Sequence, residues 1–244
     1  LDQLAGDYLQ QIAAASEASR EPLNQRAREL YQQLISPVET LLEPGATLCV
    51  IPDKILCYVP FNALLSPARN RYLLEDFPIM LSPSASVFIA STERARAREL
   101  LTEESFLGIG NPRFNPQLFP ELRPLPAAET EVRNLADCYR NAPMLFGMGA
   151  TEREVARRLP QANVVHFATH AVNHARAPLL STLVLAPEPG GGSHDTKDDG
   201  QLQACEIYQF KLPRTRLVVL SACQTGVDRV YRGEGAVGLA RPFI

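Results

Sequence analysis

Apolar residues recur at three- and four-residue steps through residues 1–42: Leu4, Tyr8, Leu9 and Ile12, then Leu23, Ala27, Leu30, Tyr31, Leu34 and Ile35. Such a rhythm lays one apolar stripe along each of two helices. Pro22 falls near the start of the second, where a proline has no intrahelical N–H bond to lose. The pattern changes after Thr47. Residues 48–51 and 55–59 are short apolar runs on either side of Asp53 and predict strands, 84–101 predicts a helix, and 106–109 predicts a further strand. Pro112, Pro116, Pro120, Pro124 and Pro126 then predict a surface loop, since each proline fixes φ and removes a donor. Residues 127–139 and 151–159 predict helices, the second opened by Thr151 and Glu154 as a capping box. Residues 164–167 and 217–220 are β-rich and brief enough for strands buried on both faces. Strands and helices in alternation predict an α/β fold, a mostly parallel sheet flanked by helices and preceded by N-terminal helices. Residues 1–42 form the helical lead-in and 43–244 the α/β domain. The helical pair fits the end of a repeat array equally well, but one pair does not make a repeat.

The two buried runs both lead into residues with chemistry. His170 follows the first, in VVHFATHA, and Cys223 follows the second, in LVVLSACQTG, 53 residues later. Ligands of open parallel sheets bind beyond the carboxyl ends of the strands, so neighbouring strands would bring an imidazole and a thiol to one sheet edge. A thiol needs that company, because the thiolate is the nucleophile and a free thiol is mostly protonated at neutral pH. Alone, a cysteine after an apolar strand is more often buried and inert, and a histidine there more often structural. The pairing, the spacing and the small residues Ala222 and Gly226 favour a Cys/His nucleophile pair, with the Cys223 N–H and one from the turn after His170 as oxyanion donors.

A caspase signature has Gln-Ala-Cys with a histidine about 50 residues upstream, and Ser221-Ala222-Cys223 at this distance from His170 resembles a variant of it. With the blocks LCVIPDKILCYVPFNAL (48–64), DFPIMLSPSASV (76–87), LGIGNP (107–112), VVHFATHA (164–171), LQACEIY (202–208), LVVLSACQTG (217–226) and RGEGAVGLAR (232–241), in that order, the chain resembles the CHAT domain. That caspase-like domain is often found with tetratricopeptide repeats, within the wider group of caspase, separase, gingipain and legumain proteases. The resemblance implies a caspase-like fold and a cysteine endopeptidase with Cys223 as nucleophile and His170 as general base. It makes the backbone N–H groups of Ala171 and Cys223 the oxyanion donors. Ala171 stands where the group usually has glycine, and Pro242 where the family's last helix continues, so further strands and helices are expected beyond Ile244. Related proteases with an acidic first pocket cut after basic residues. Asp53, Asp228 and Glu234, in or beside the matching blocks, are the candidate acids for such a pocket.

Composition narrows the classes. Across 244 residues the net charge is −3, with scattered basic residues and a pI near 5.9, which gives no field for nucleic acid. Five cysteines without close spacing imply no disulfide framework and fit a reducing, cytoplasmic setting. Neither a leader nor an apolar run near 18 residues is present, so no membrane span is expected. The polar, glycine-rich residues 187–200 lack the lysine of a phosphate loop and are expected to be solvated. His166, His170 and His174 recur at four-residue steps, a zinc-binding spacing on a helix. The run around His166 predicts a strand, however, and no glutamate follows it as a zinc-protease motif requires. His166 is therefore read as a core or supporting residue, and neither metal nor cofactor is expected. The expected partners are a protein or peptide substrate and, through an upstream helical-repeat region, a regulator. The alternative is a catalytically silent module of the same fold that signals by binding.

Overall fold

The computed structural model describes residues 1–14, 20–43, 45–98, 104–174, 176–188, 198–222 and 239–243. They fall into two compact units, 1–92 and, in the described part, 93–222 with 239–243; the chain passes from one to the other within a helix. No helix among the described residues is long and apolar enough to cross a membrane.

In the first unit α1 (Asp2–Ala13) and α2 (Arg20–Leu34) turn most of the predicted apolar stripes inward, while Ile12 stays exposed. Ala5, Tyr8, Ala27, Leu30 and Tyr31 are buried in one core with Leu64, Leu65, Leu73 and Phe77. β1 (Leu48–Val50) pairs in parallel with β2 (Ile79–Leu81), and α3 (Leu73–Asp76) lies between them in sequence. The apolar run 55–59 does not form a strand. Lys54–Tyr58 is a 3-10 helix, entered through Lys54 at φ +52° and closed by a Cys57 Sγ contact to the Pro52 carbonyl at 3.5 Å. Pro52 and Pro60 bracket a run too short for its period to separate strand from helix.

α4 (Ala85–Arg98) leads into the second unit, built on β3 (Phe106–Pro112), α5 (Pro126–Ala136), β4 (Met144–Gly147), α6 (Glu152–Arg158) and β5 (Val164–Ala168). β6 (Ala171–Val172), β7 (Thr182–Val184), β8 (Gln201–Gln203), α7 (Ala204–Ile207) and β9 (Leu217–Leu220) follow. β4, β3, β5 and β9 form one parallel sheet in that order, and β6, β7 and β8 a smaller antiparallel one. Strand residues alternate between two cores, as a period of two requires. Leu107, Ile109, Val165 and Phe167 join the larger core, while Phe106, Val164 and Ala168 join Val132 and Ala136 of α5. The helix cap at Thr151 is half of the predicted box. Its hydroxyl accepts the Glu154 N–H at 3.3 Å, but the Glu154 carboxylate pairs with Arg157 and Arg158, which hold its pKa near 2.

Candidate active site

His170 stands two residues past β5, in the turn that leads into β6. Both sides of that turn are fastened to the end of β7. The Thr169 hydroxyl donates to the Val184 carbonyl, and the Val184 N–H donates to the His170 carbonyl at 2.8 Å. The second bond also sets the alternation of the β6–β7 ladder. It makes Ala171 and Leu183 a pair that exchanges no hydrogen bonds, so the Ala171 N–H is directed away from β7. The Ala171 backbone is not left-handed and its side chain is buried, so alanine is held there without strain.

The imidazole is held from the proline-rich loop. His170 Nε2 lies 2.7 Å from the Arg123 carbonyl, which can only accept, so Nε2 carries the hydrogen. In the neutral ring Nδ1 is then the basic nitrogen. Phe114 meets the imidazole edge to face at 5.6 Å and meets Phe119 in the same way at 6.4 Å. Neither the Arg123 carbonyl nor these two rings is anticipated by the sequence reading, which treats the loop as surface only. A main-chain carbonyl is the same at every residue and leaves no mark in a sequence.

β5 and β9 are neighbours, as the strand-end argument requires. Phe167 faces Leu220, 53 residues on, and the Ser221 N–H extends the ladder to the Phe167 carbonyl at 2.8 Å. The same 53 residues separate His170 from Cys223. Cys223 itself lies outside the described residues, as do Asp228 and Glu234. The register is pinned at the opposite end of the strands: the Arg216 N–H donates to the Asn163 carbonyl at 2.8 Å, and the Arg216 guanidinium forms a two-bond ion pair with Glu104.

His166 projects from the middle of β5 toward α5, 5% exposed, with Nε2 2.8 Å from Glu131 Oε1 and its ring stacked on Phe106 at 6.5 Å. His174 is exposed beyond β6, its N–H donating to Ser181 Oγ at 3.0 Å. Among the described residues no three of His, Cys, Asp and Glu are grouped as metal ligands. Asp53 belongs to the first unit, ahead of the 3-10 helix, with its carboxylate in solvent 3.9 Å from Lys54 Nζ.

Comparison with known proteins adds a family. The model of the CHAT domain matches residues 24–244. Tetratricopeptide repeat protein 28 of Homo sapiens is 27% identical over 261 residues, covering 89% of this chain and 10% of that protein. The protein of the same name from Mus musculus is 28% identical over 261 residues. The chain therefore spans 10% of the length of these curated relatives.

Proposed function

As the chain belongs to the CHAT domain family, we propose that it is a cysteine endopeptidase cleaving a protein partner with Cys223 and His170. The observation that carries the reading is the bond from His170 Nε2–H to the Arg123 carbonyl, which leaves Nδ1 as acceptor on a histidine at the carboxyl end of β5. The matching 53-residue offset of the β5–β9 register supports Cys223 as its counterpart. In the reaction the Cys223 proton passes to Nδ1 and the thiolate adds to the peptide carbonyl. The N–H groups of Ala171 and Cys223 stabilise the resulting oxyanion. The imidazolium returns its proton to the departing amine as the C–N bond breaks, leaving a thioester. Water, deprotonated by the same nitrogen, then cleaves the thioester and restores the thiol.

Asp53, Asp228 and Glu234 are candidate acids for a first pocket that takes a basic side chain. Residues 1–42 serve as a helical lead-in to the domain of 43–244. The matched relatives are named for tetratricopeptide repeats, and helical repeats beside this domain would be the part that binds a regulator. A reducing cytoplasm would keep the nucleophile as thiol. The test is substitution: Cys223→Ala and His170→Ala should each abolish peptide cleavage and labelling by a thiol-directed peptide electrophile, with the circular dichroism spectrum unchanged. Labelling that persists in Cys223→Ala would mean that another thiol reacts.

A second reading has one observation in its favour, that the matched relatives are named for their repeats rather than for a catalytic activity. Under it the domain is a silent CHAT module that binds and signals. Partner binding of unaltered strength in Cys223→Ala, with no cleavage of the partner by the wild type, would select it.

A further inference from the structure

We propose that Asn111 is a positioning residue for His170, acting by clasping shut the loop whose Arg123 carbonyl holds the imidazole; its catalytic consequence rests on the proteolytic reading above. Three features of Asn111 converge. It is the extra residue of a bulge at the carboxyl end of β3, where Gly110 faces Phe146 and Pro112 faces Gly147. Its φ of 46° is left-handed, a conformation asparagine enters at lower cost than most side chains. Its Oδ1 accepts the Leu125 N–H at 2.8 Å, across the whole of the intervening loop.

Leu125 is the residue from which α5 starts, with Pro126 as its first helical residue, so this bond joins the end of β3 to the start of α5. Arg123 is only two residues back from the clasped N–H. The first half of the loop has holds of its own: the Arg113 N–H donates to the Gly147 carbonyl at 3.0 Å, and a turn over Asn115 to Phe119 is closed by main-chain bonds. Arg123 and Pro124, by contrast, are exposed. One residue before Arg123 a further turn is closed by the Leu122 N–H on the Phe119 carbonyl at 3.2 Å; the Asn111 clasp holds the other side of Arg123, and the Arg123 carbonyl fixes which nitrogen of His170 bears the hydrogen. Gly147, which faces Pro112 across the bulge, also has positive φ, +54°.

The experiment separates backbone shape from the clasp. Asn111→Gly keeps the left-handed backbone and removes the acceptor, whereas Asn111→Asp keeps both. In full-length protein with 15N-labelled histidine, the wild type should show a slowly exchanging Nε2–H signal for His170, assigned by its loss in His170→Ala. Exchange of that proton with water should be faster in Asn111→Gly by about tenfold, the factor for one hydrogen bond lost. It should be unchanged in Asn111→Asp, and the His166 ring signal should be constant throughout. Absence of the His170 signal in the wild type, or equal exchange in Asn111→Gly, would overturn the proposal. Should Asn111→Gly fail to fold, Asn111→Ser, too short to reach the Leu125 N–H, takes its place. On a cleaved peptide, Asn111→Gly should lower kcat with KM little changed. Altered exchange with no cleavage by the wild type would refute the protease and spare the clasp; normal cleavage with unaltered exchange would do the reverse.

Discussion

Glu152 is a carboxyl group only 5% exposed in the first turn of α6, where its Oε1 accepts the main-chain N–H groups of Gly200 at 2.7 Å and Gln201 at 3.0 Å. Burial raises its pKa from 4.5 to about 8, with the charges of Glu206 and Asp199 adding to the shift and the two N–H bonds opposing it. The neighbouring Arg153 does not neutralise it, being paired with Asp198 at 3.0 Å and Glu188 at 3.8 Å. A folded pKa above the unfolded one means that the fold prefers the protonated acid. The associated stability is fully present below pH 4.5 and is lost as pH rises through about 8. One group contributes a slope of at most about 1.4 kcal/mol per pH unit in that window. Glu152→Gln keeps an acceptor for the two N–H groups and does not titrate. Its urea unfolding free energy should therefore fall less steeply than the wild type's between about pH 5 and about pH 8.5. Parallel pH profiles for the two proteins would show that Glu152 does not titrate in this range.

At the scale of elements, the seat of α5 on β3 depends on two missing side chains. A Cβ on Gly108 would lie 2.4 Å from Val132 Cγ1, and one on Gly110 would lie 2.9 Å from the Ala128 carbonyl oxygen. The β-branched Val132 has little rotameric freedom on a helix, so Gly108→Ala should push α5 off the sheet. A loss of about 1–3 kcal/mol is expected, the usual cost of overpacking a filled core. It would be read as a lower urea midpoint at unchanged slope; an unmoved midpoint would mean that the helix shifts freely. The elements that the sequence makes legible are the helices long enough to show a period, α1, α2, α4, α5 and α6, and the strands marked by an apolar run, β1, β3, β5 and β9. β2, β4, β6, β7 and β8 run for two to four residues, at most two full alternations, and tertiary pairing makes them strands. The site divides in the same way. His170 is legible because it ends a buried run, and its spacing to Cys223 is legible because parallel pairing conserves a sequence offset along the ladder. The hold on His170 comes from a carbonyl and a bulge, which depend on backbone path and not on residue type. Asn111 shows at most as the asparagine of LGIGNP, with its partner Leu125 across a loop of prolines.

For the molecule as a whole, the reading turns on which of five thiols is chemically distinct. Among the four described, Cys49, Cys57 and Cys205 are half-buried and Cys138 is exposed. Cys57 and Cys205 have Sγ contacts to oxygen, at 3.5 Å to the Pro52 carbonyl and 3.4 Å to Gln203 Oε1; Cys138 is 4.0 Å from the Asn134 carbonyl. A neighbouring base is what raises a thiol's thiolate fraction, and under the proposed reading His170 supplies one to Cys223. Under that reading activation selects Cys223, whereas exposure among the described thiols selects Cys138. A small alkylating agent such as iodoacetamide, limiting and near neutral pH, should modify Cys223 first and Cys138 later. The Cys223 rate should drop in His170→Ala while the Cys138 rate stays the same. A peptide bearing the same electrophile, which needs a groove as well as a thiolate, should label Cys223 alone. Peptide mapping by mass spectrometry resolves all five sites in one digest. Equal rates at Cys138 and Cys223, or a Cys223 rate indifferent to His170, would remove the activated nucleophile from this chain and leave the binding module as the reading that stands.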